Sequence, residues 1–184
     1  MLTGPSKGMF CMRSSRQMFA SLVISFFVFG VANSKPINGD ENDLSLEKLV
    51  ASVYKVYAWT VLFGVETRLD SAIPLSQEPK AKLKRIFTDD LAIAISTDAR
   101  CAKKTREICL LDFDILFASQ DPAASDLSIR SITEHAVDVC FVDQSNSRRC
   151  VKFIGVKEAK GERIRDIRYD NTGSSLREIL KLKP

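Results

Sequence analysis

Acidic residues are concentrated in one short segment, where they could bind a cation or act as an acid and a base. Asp112 and Asp114 flank a phenylalanine, and Asp121 follows next to Pro122. Paired carboxylates can ligate a metal or exchange protons with a substrate, but their spacing does not match the twelve-residue calcium loop of an EF-hand. The alternative interpretation is structural, because aspartates near a proline commonly cap turns with their own side chains.

His135 is the one histidine of the chain, and it could act as a general base. It lies in a strand-like run without an assignable Ser, Cys or Asp partner, so an exposed strand position is the alternative. Tyr169 is a further candidate for contacting a ligand or a partner. The sequence has no Gly-rich phosphate loop, G-x-S-x-G or H-E-x-x-H motif, so we predict no catalytic residue, cofactor or metal.

A run of arginines near the C-terminus could bind an anion. Arg163, Arg165 and Arg168 alternate with isoleucines in the manner of a strand. Glu162 and Asp166 lie between them, so the alternative is a solvated sheet face that carries charges of both signs.

The pattern of cysteines predicts two disulfides. Four cysteines follow the first 34 residues, namely Cys101, Cys109, Cys140 and Cys150. They allow three connectivities, and we favour the two local pairs, Cys101–Cys109 and Cys140–Cys150. The spacing lacks the short intervals of a zinc site and the Cys-x-x-Cys motif of a redox enzyme.

The second pair follows from a predicted hairpin. Residues 136–143 and 150–156 alternate like strands, and the segment between them is polar and prone to turn. A hairpin centred near Ser145 places Cys140 opposite Cys150.

Residues 1–34 have the order of features of a secretory signal peptide. They contain no acidic residue, and Arg13 and Arg16 precede an apolar run of about fourteen residues that ends at Val31. We predict cleavage near Ser34 and translation starting at Met1, Met9 or Met12. The apolar run is shorter than the roughly 20 residues of a membrane-spanning helix, so an uncleaved anchor is the less favoured alternative. We therefore expect a periplasmic or secreted protein without a stable membrane span.

Most of the net positive charge of the chain lies in residues 1–34. Three basic residues and no acidic ones lie in 1–34, so they carry most of the formal net charge of +4. The remaining domain is nearly neutral, which argues against a nucleic-acid partner. Its composition is that of an ordinary globular protein.

The hydrophobic pattern predicts a loose leader at 35–43 and one α+β domain at 44–184. A helix starts after Asp43 or Ser45 and ends near Gly64, a second is capped by Ser76, and a third begins at Thr88. Segments 127–143, 149–158 and 162–169 are predicted antiparallel strands. The capping-box spacing of Ser175 and Glu178 predicts a short C-terminal helix. Helices followed by a strand meander indicate α+β.

Three features together resemble the YbjP-like family of exported bacterial proteins, whose function is unknown. These features are a tyrosine-containing amphipathic first helix, the segment LDFDILFASQD that ends at Asp121, and the tail GERIRDIRYDNTGSSLREIL. The tail carries the signature of the family on Ile164, Asp166, Ile167, Tyr169, Gly173, Ser175, Leu176 and Arg177. Glu162 stands where the family often has tryptophan.

The resemblance implies a fold like that of nuclear transport factor two, in which helices pack in the concave side of a curved sheet and the resulting cone often encloses a pocket. It supplies no catalytic residues. We therefore expect a non-enzymatic protein that binds an unknown small molecule or protein. The alternatives are an immunity-type inhibitor of a secreted toxin and a small hydrolase-like enzyme that uses the cone pocket, with Asp112, Asp114 and His135 as its acid–base candidates.

Overall fold

The computed structural model describes residues 44–63 and 73–183. The predicted signal peptide, its cleavage site, the leader and the helix end at Gly64 lie outside these residues. The described part is an α+β structure with one four-stranded antiparallel sheet in the order β1-β2-β3-β4. Its elements in chain order are α1 (Leu46–Tyr57), α2 (Trp59–Phe63), a 3-10 turn (Leu75–Gln77), α3 (Lys80–Ile86), α4 (Asp89–Thr105), β1 (Ala124–Thr133), β2 (Ala136–Asp143), β3 (Arg148–Glu158), β4 (Gly161–Tyr169) and α5 (Leu176–Ile179).

The first and last helices begin where their caps predict. Ser45 caps α1 by accepting a hydrogen bond from the backbone N–H of Lys48. In α5, Ser175 and Glu178 form the complete capping box, because each side chain accepts from the backbone of the other.

The start of α3 corrects one prediction. Ser76 lies in the 3-10 turn, and α3 instead begins at Lys80 after Pro79. Glu78 is extended, as expected for a residue before proline, so a helix that began at Ser76 could not continue through this point. The next helix, α4, has Thr88 at its N-cap and acidic residues in its first turn, as predicted.

The strand prediction for 127–143 is wrong in one respect. The segment is not one strand, because the chain reverses at Glu134 and His135 between β1 and β2. His135 is therefore exposed in a turn and is not a strand residue. The turn has no Gly, Pro or Asn, and alternating residues flank it on both sides, so the usual sequence signals of a reversal are missing.

The core lies between the helices and one face of the sheet. Tyr54 of α1 packs edge-on against Phe117 and against Phe153 of β3, with ring centroids 5.6 and 5.8 Å apart. Val139 of β2 and Ile167 of β4 are fully buried in the same cluster. The opposite face of the sheet, which we call the outer face, carries residues such as Lys152 and Arg168, whose Cα atoms are cross-strand partners.

Both disulfide predictions are confirmed. Cys140 lies opposite Cys150 in the β2–β3 register, and the two are bonded. Cys101 in the last turns of α4 is bonded to Cys109, so this disulfide closes the loop that follows the helix.

Backbone groups from two other segments cover the outer edge of β4. The N–H of Thr88 donates to the carbonyl of Ile164 at 3.0 Å, and the N–H of Tyr169 donates to the carbonyl of Ser174 at 3.0 Å. Covering an edge strand in this way satisfies its backbone and blocks unwanted pairing.

Removing the cross-strand disulfide tests its contribution to stability. We expect the double variant Cys140→Ser/Cys150→Ser to lose about 3 kcal/mol of unfolding free energy in a urea titration, because the bond restricts the unfolded chain over a short loop. The matched variant Cys101→Ser/Cys109→Ser lacks a disulfide that closes a loop of similar length, so it should lose a similar amount of unfolding free energy. Unchanged midpoints in both variants would contradict the assignment of two structural disulfides.

Gly155 tests the close approach of α1 to the sheet. A Cβ atom at this position would lie 2.7 Å from Cδ1 and Cδ2 of Leu46, which is itself buried. We expect Gly155→Ala to cost about 1–3 kcal/mol through overpacking. In a double-mutant cycle by urea unfolding, Leu46→Ala should cost less in the Gly155→Ala background than in the wild type. Additive losses would show that this contact does not limit packing.

Candidate functional site

The acidic segment forms a tight loop that the side chain of Asp114 organises. We call residues 112–121 the acidic loop. One oxygen of Asp114, Oδ1, accepts from the backbone N–H groups of Leu116 at 2.8 Å and Phe117 at 3.3 Å. The backbone N–H of Asp114 donates to the carbonyl of Ser119, which closes the loop. The carboxylate therefore has the role of an aspartate in a turn.

The apex of the acidic loop inserts into the core and is held there by two tyrosines. Ile115, Leu116 and Phe117 are all buried. The Tyr54 hydroxyl donates to the carbonyl of Leu116 at 2.6 Å, and the Tyr169 hydroxyl donates to that of Ile115 at 3.2 Å. The phenol of Tyr169 therefore binds the loop inside the protein.

Burial raises the pKa values of Asp114, Tyr54 and Tyr169. Desolvation raises the pKa of Asp114 in spite of its two backbone hydrogen bonds. Desolvation, and then the nearby Asp114 charge, raise the pKa of Tyr54 and of Tyr169 well above the ordinary value. Both hydroxyls consequently remain protonated donors at neutral pH.

The remaining predicted site residues are spread along the sheet. Asp112 accepts from the side-chain amide of Gln120 at 3.0 Å. Asp121 lines a small cavity of about 140 Å³ next to the start of β1. Asp121 precedes β1 and His135 follows it. The length of β1 therefore lies between them, which is about 30 Å at roughly 3.3 Å per residue. Within the described residues, His135 makes no hydrogen bond or ion pair with Asp112 or Asp114.

One buried carboxylate was missed in the sequence. Asp98 of α4 accepts from the backbone N–H groups of Leu110 at 2.7 Å and Leu111 at 3.3 Å, which fixes the loop that precedes the acidic loop. The available signal was its position, because it continues the helical spacing of the buried residues Leu91 and Ile95. An acidic residue on the apolar face of a helix must find hydrogen-bond donors.

A larger cavity lies where β4 meets the C-terminal segment, and we call it the β4 cavity. Its volume is about 750 Å³, within the usual range for small-molecule sites. Ile154 of β3 and Leu182 supply apolar wall, and Gly173 and Ser174 form part of the rim. The charged lining residues are Arg165, Asp166, Arg168, Asp170, Arg177 and Glu178. Of the predicted site residues, Tyr169 lines it.

Two of the carboxylates in this lining are already hydrogen-bonded to the backbone. Asp166 accepts from the N–H groups of Ile167 at 2.9 Å and Arg177 at 3.1 Å. Glu178 accepts from the N–H of Ser175 at 2.8 Å in the capping box. The contact between Asp166 and Arg177 joins β4 to α5, and that between Glu178 and Ser175 lies within the cap of α5.

Arg177 connects the cavity wall to α4. Its guanidinium donates to Asp90 at 2.8 Å and to the carbonyl of Lys183 at 2.7 Å. Partial burial acts to raise the pKa of Asp90, but hydrogen bonds from Thr88, Arg177 and the Leu91 N–H outweigh it and hold that pKa below its ordinary value. In the part of the chain that the structure describes, the buried Nε of Arg177 has no hydrogen-bond partner.

Among the residues that the structure describes, no group of three or more His, Cys, Asp and Glu side chains could hold a metal ion. In the same part of the chain, the helices are too short or too polar to cross a bilayer.

In comparisons with known proteins, no family model, no curated protein and no solved structure matches this chain. The resemblance to the YbjP-like family therefore stays a prediction.

The pH dependence of stability tests the role of Asp114. In Asp114→Asn the amide oxygen can still accept the two backbone hydrogen bonds, but no buried charge remains. Because the folded-state pKa of Asp114 is raised, ionisation destabilises the folded wild type as pH increases through that value. We expect the variant to be the more stable protein at pH 7, with the difference disappearing below about pH 3.9.

Urea unfolding of both proteins between pH 3 and 8 measures this difference. The control, Asp114→Ala, also lacks the charge but removes the acceptor, so it should be about 1–3 kcal/mol less stable than Asp114→Asn at every pH. A wild type that is more stable than Asp114→Asn at pH 7 would contradict the proposed cost of the charge.

Proposed function

We propose that this chain is an exported, disulfide-stabilised, non-enzymatic protein that binds a small molecule in the β4 cavity. The observation that carries the proposal is the cavity itself, whose lining combines apolar wall with charged groups in a volume suited to a ligand. Recognition of a ligand needs this combination, since apolar surface provides affinity and polar groups fix orientation.

Two features support the exported location. The two disulfides are of the kind that persist in oxidising compartments. The signal-like order of residues 1–34 in the sequence supports the same location, with cleavage near Ser34.

We propose further that the helices and sheet form the cone that the family resemblance implies. The helices pack on one face of the sheet, which supports this arrangement. Along this face, however, four aromatic rings occupy the interior. Tyr54 makes edge-to-face contacts with Phe117 and Phe153, and Phe117 makes another with Phe141. We therefore propose that the ligand binds at the outer face and sheet edge instead of inside the cone.

A binding role is better supported than the enzyme alternative. The carboxylate of Asp114 holds backbone N–H groups, and His135 lies at the far end of β1. General acid–base catalysis needs its groups within hydrogen-bond reach of one substrate. The candidate residues do not meet that requirement with each other.

A bulky substitution in the cavity wall tests the proposed site. Ile154 lines the cavity, whereas Val156 is two residues further along the same face of β3 and is not part of the lining. We expect some members of a small-molecule panel to raise the melting temperature of the wild type and of Val156→Trp but not of Ile154→Trp, because bound ligand stabilises the folded state.

Circular dichroism of both tryptophan variants establishes that each is folded before the panel is measured. Ligands that stabilise all three proteins equally would place binding elsewhere. A panel without any stabilising compound would count against a small-molecule function.

A further inference from the structure

We infer that the ligand of the β4 cavity carries an oxyanion, a carboxylate or a phosphate, joined to an apolar portion, and that Arg165 and Arg168 bind the oxyanion. This inference rests on the proposed function, and it adds the chemical class of the ligand and the residues that select it.

The hydrogen-bond pattern leaves two of the three arginines of the cavity lining available. Within the described residues, the side chains of Arg165 and Arg168 make no hydrogen bond or ion pair, and both residues are exposed. By contrast, Asp166 and Glu178 are held by backbone N–H groups. Among the described residues, Asp170 is the acidic lining residue without such a contact. The lining holds as many acidic as basic side chains, but Arg165 and Arg168 are the arginines whose N–H donors are not used.

A bulge in β4 sets the position of Arg165. Ile154 is paired with Asp166 while the next residue, Gly155, is paired with Ile164, so Arg165 is an extra residue without a partner on β3. Bulges redirect side chains and are common beside binding sites. Here the residue without a partner is an arginine that lines the cavity.

Two further basic residues lie near Arg165 and Arg168, and each is paired with an aspartate. Arg168 lies opposite Lys152, whose ammonium is 3.5 Å from Asp138 on the neighbouring strand. Arg177 is also in the lining, and its buried Nε is an N–H donor without a partner among the described residues. A donor of this kind is costly to bury unless a ligand or a water accepts its hydrogen bond.

The chemistry of these groups selects the class of ligand. The planar guanidinium group binds carboxylate and phosphate oxygens with two parallel hydrogen bonds, which a neutral polar group cannot match. Ile154 and Leu182 beside the arginines provide a surface for an apolar portion of the ligand. An amphipathic anion satisfies both parts of the cavity.

Titration with simple probes tests the inference. Hexyl phosphate, hexanoate, inorganic phosphate and 1-hexanol are each added to the protein from which residues 1–34 have been removed by signal processing, and binding is followed by NMR chemical shifts. We expect a hexyl anion to bind at least about tenfold more tightly than 1-hexanol, since a charge-assisted hydrogen bond is worth roughly that factor or more. The comparison of hexyl phosphate with hexanoate decides which oxyanion the site prefers, and inorganic phosphate should bind more weakly than hexyl phosphate.

Substitutions locate the binding groups. Arg165→Gln/Arg168→Gln should lower the affinity for the preferred hexyl anion at least about tenfold and leave that for 1-hexanol unchanged. The control is Arg130→Gln, which removes an exposed arginine from β1, at the other edge of the sheet. It should change the affinity less than twofold, which separates a specific site from general surface charge.

Two results would overturn the inference. One is equal binding of 1-hexanol and both hexyl anions, and the other is an equal loss of affinity in the Arg130 variant and the double variant. If Ile154→Trp still abolishes binding in either case, the cavity binds a ligand without selecting an oxyanion through Arg165 and Arg168, and the proposed function stands. If no probe or panel compound depends on Ile154, the proposed function fails as well.

Discussion

The arrangement of the helices and the C-terminal segment depends on how the backbone groups along the outer edge of β4 are hydrogen-bonded. An edge strand exposes backbone donors and acceptors that must be satisfied or protected. Here Thr88 covers one half and Ser174 the other, each through a backbone hydrogen bond of 3.0 Å. These contacts bring the start of α4 and the C-terminal segment to the same strand, and the β4 cavity lies between β4 and that segment.

Carboxylates hold the segments that meet at this edge. Asp166 accepts a hydrogen bond from the backbone N–H of Arg177, and the guanidinium of Arg177 in turn donates to Asp90 at the start of α4. Asp90 also accepts from Thr88 and from the N–H of Leu91. A charged side chain that organises backbone donors gains strong hydrogen bonds without requiring a large buried ion-pair network. Asp98 and Asp114 also organise backbone donors, although burial makes the charge of Asp114 costly.

The acidic loop shows how a chemically suggestive pattern can have a structural role. Asp112 and Asp114 have the residue types of a metal or acid–base site. Their surroundings differ from those of such a site, because the half-buried Asp114 accepts from the backbone of a loop apex that Tyr54 and Tyr169 hold by its carbonyls. Buried carbonyls need donors, and two tyrosines that are distant in sequence supply them. The site that the geometry favours lies instead beside the arginines of β4.

Local interactions explain which features could be predicted. The caps at Ser45, Thr88 and Ser175 are decided within four residues, and the pairing of Cys140 with Cys150 follows from the hairpin that joins them. The turn at His135 was missed because neither residue of the turn carries the usual signals. The start of α3 was misplaced because the restriction imposed by Pro79 outweighs the capping potential of Ser76.

The sequence alone therefore indicated the α+β class and several element boundaries, and it favoured the two disulfide pairs that the structure has, since these depend on short-range propensity, spacing and hydrophobic periodicity. The location of the candidate site was decided by tertiary structure. Arg165 is one member of an alternating charged run in the sequence, and its position in the cavity depends on a bulge relative to β3. The acids around it are committed to backbone groups as far away as Arg177. Which charges remain available to a ligand depends on contacts between distant segments, and no local pattern encodes them.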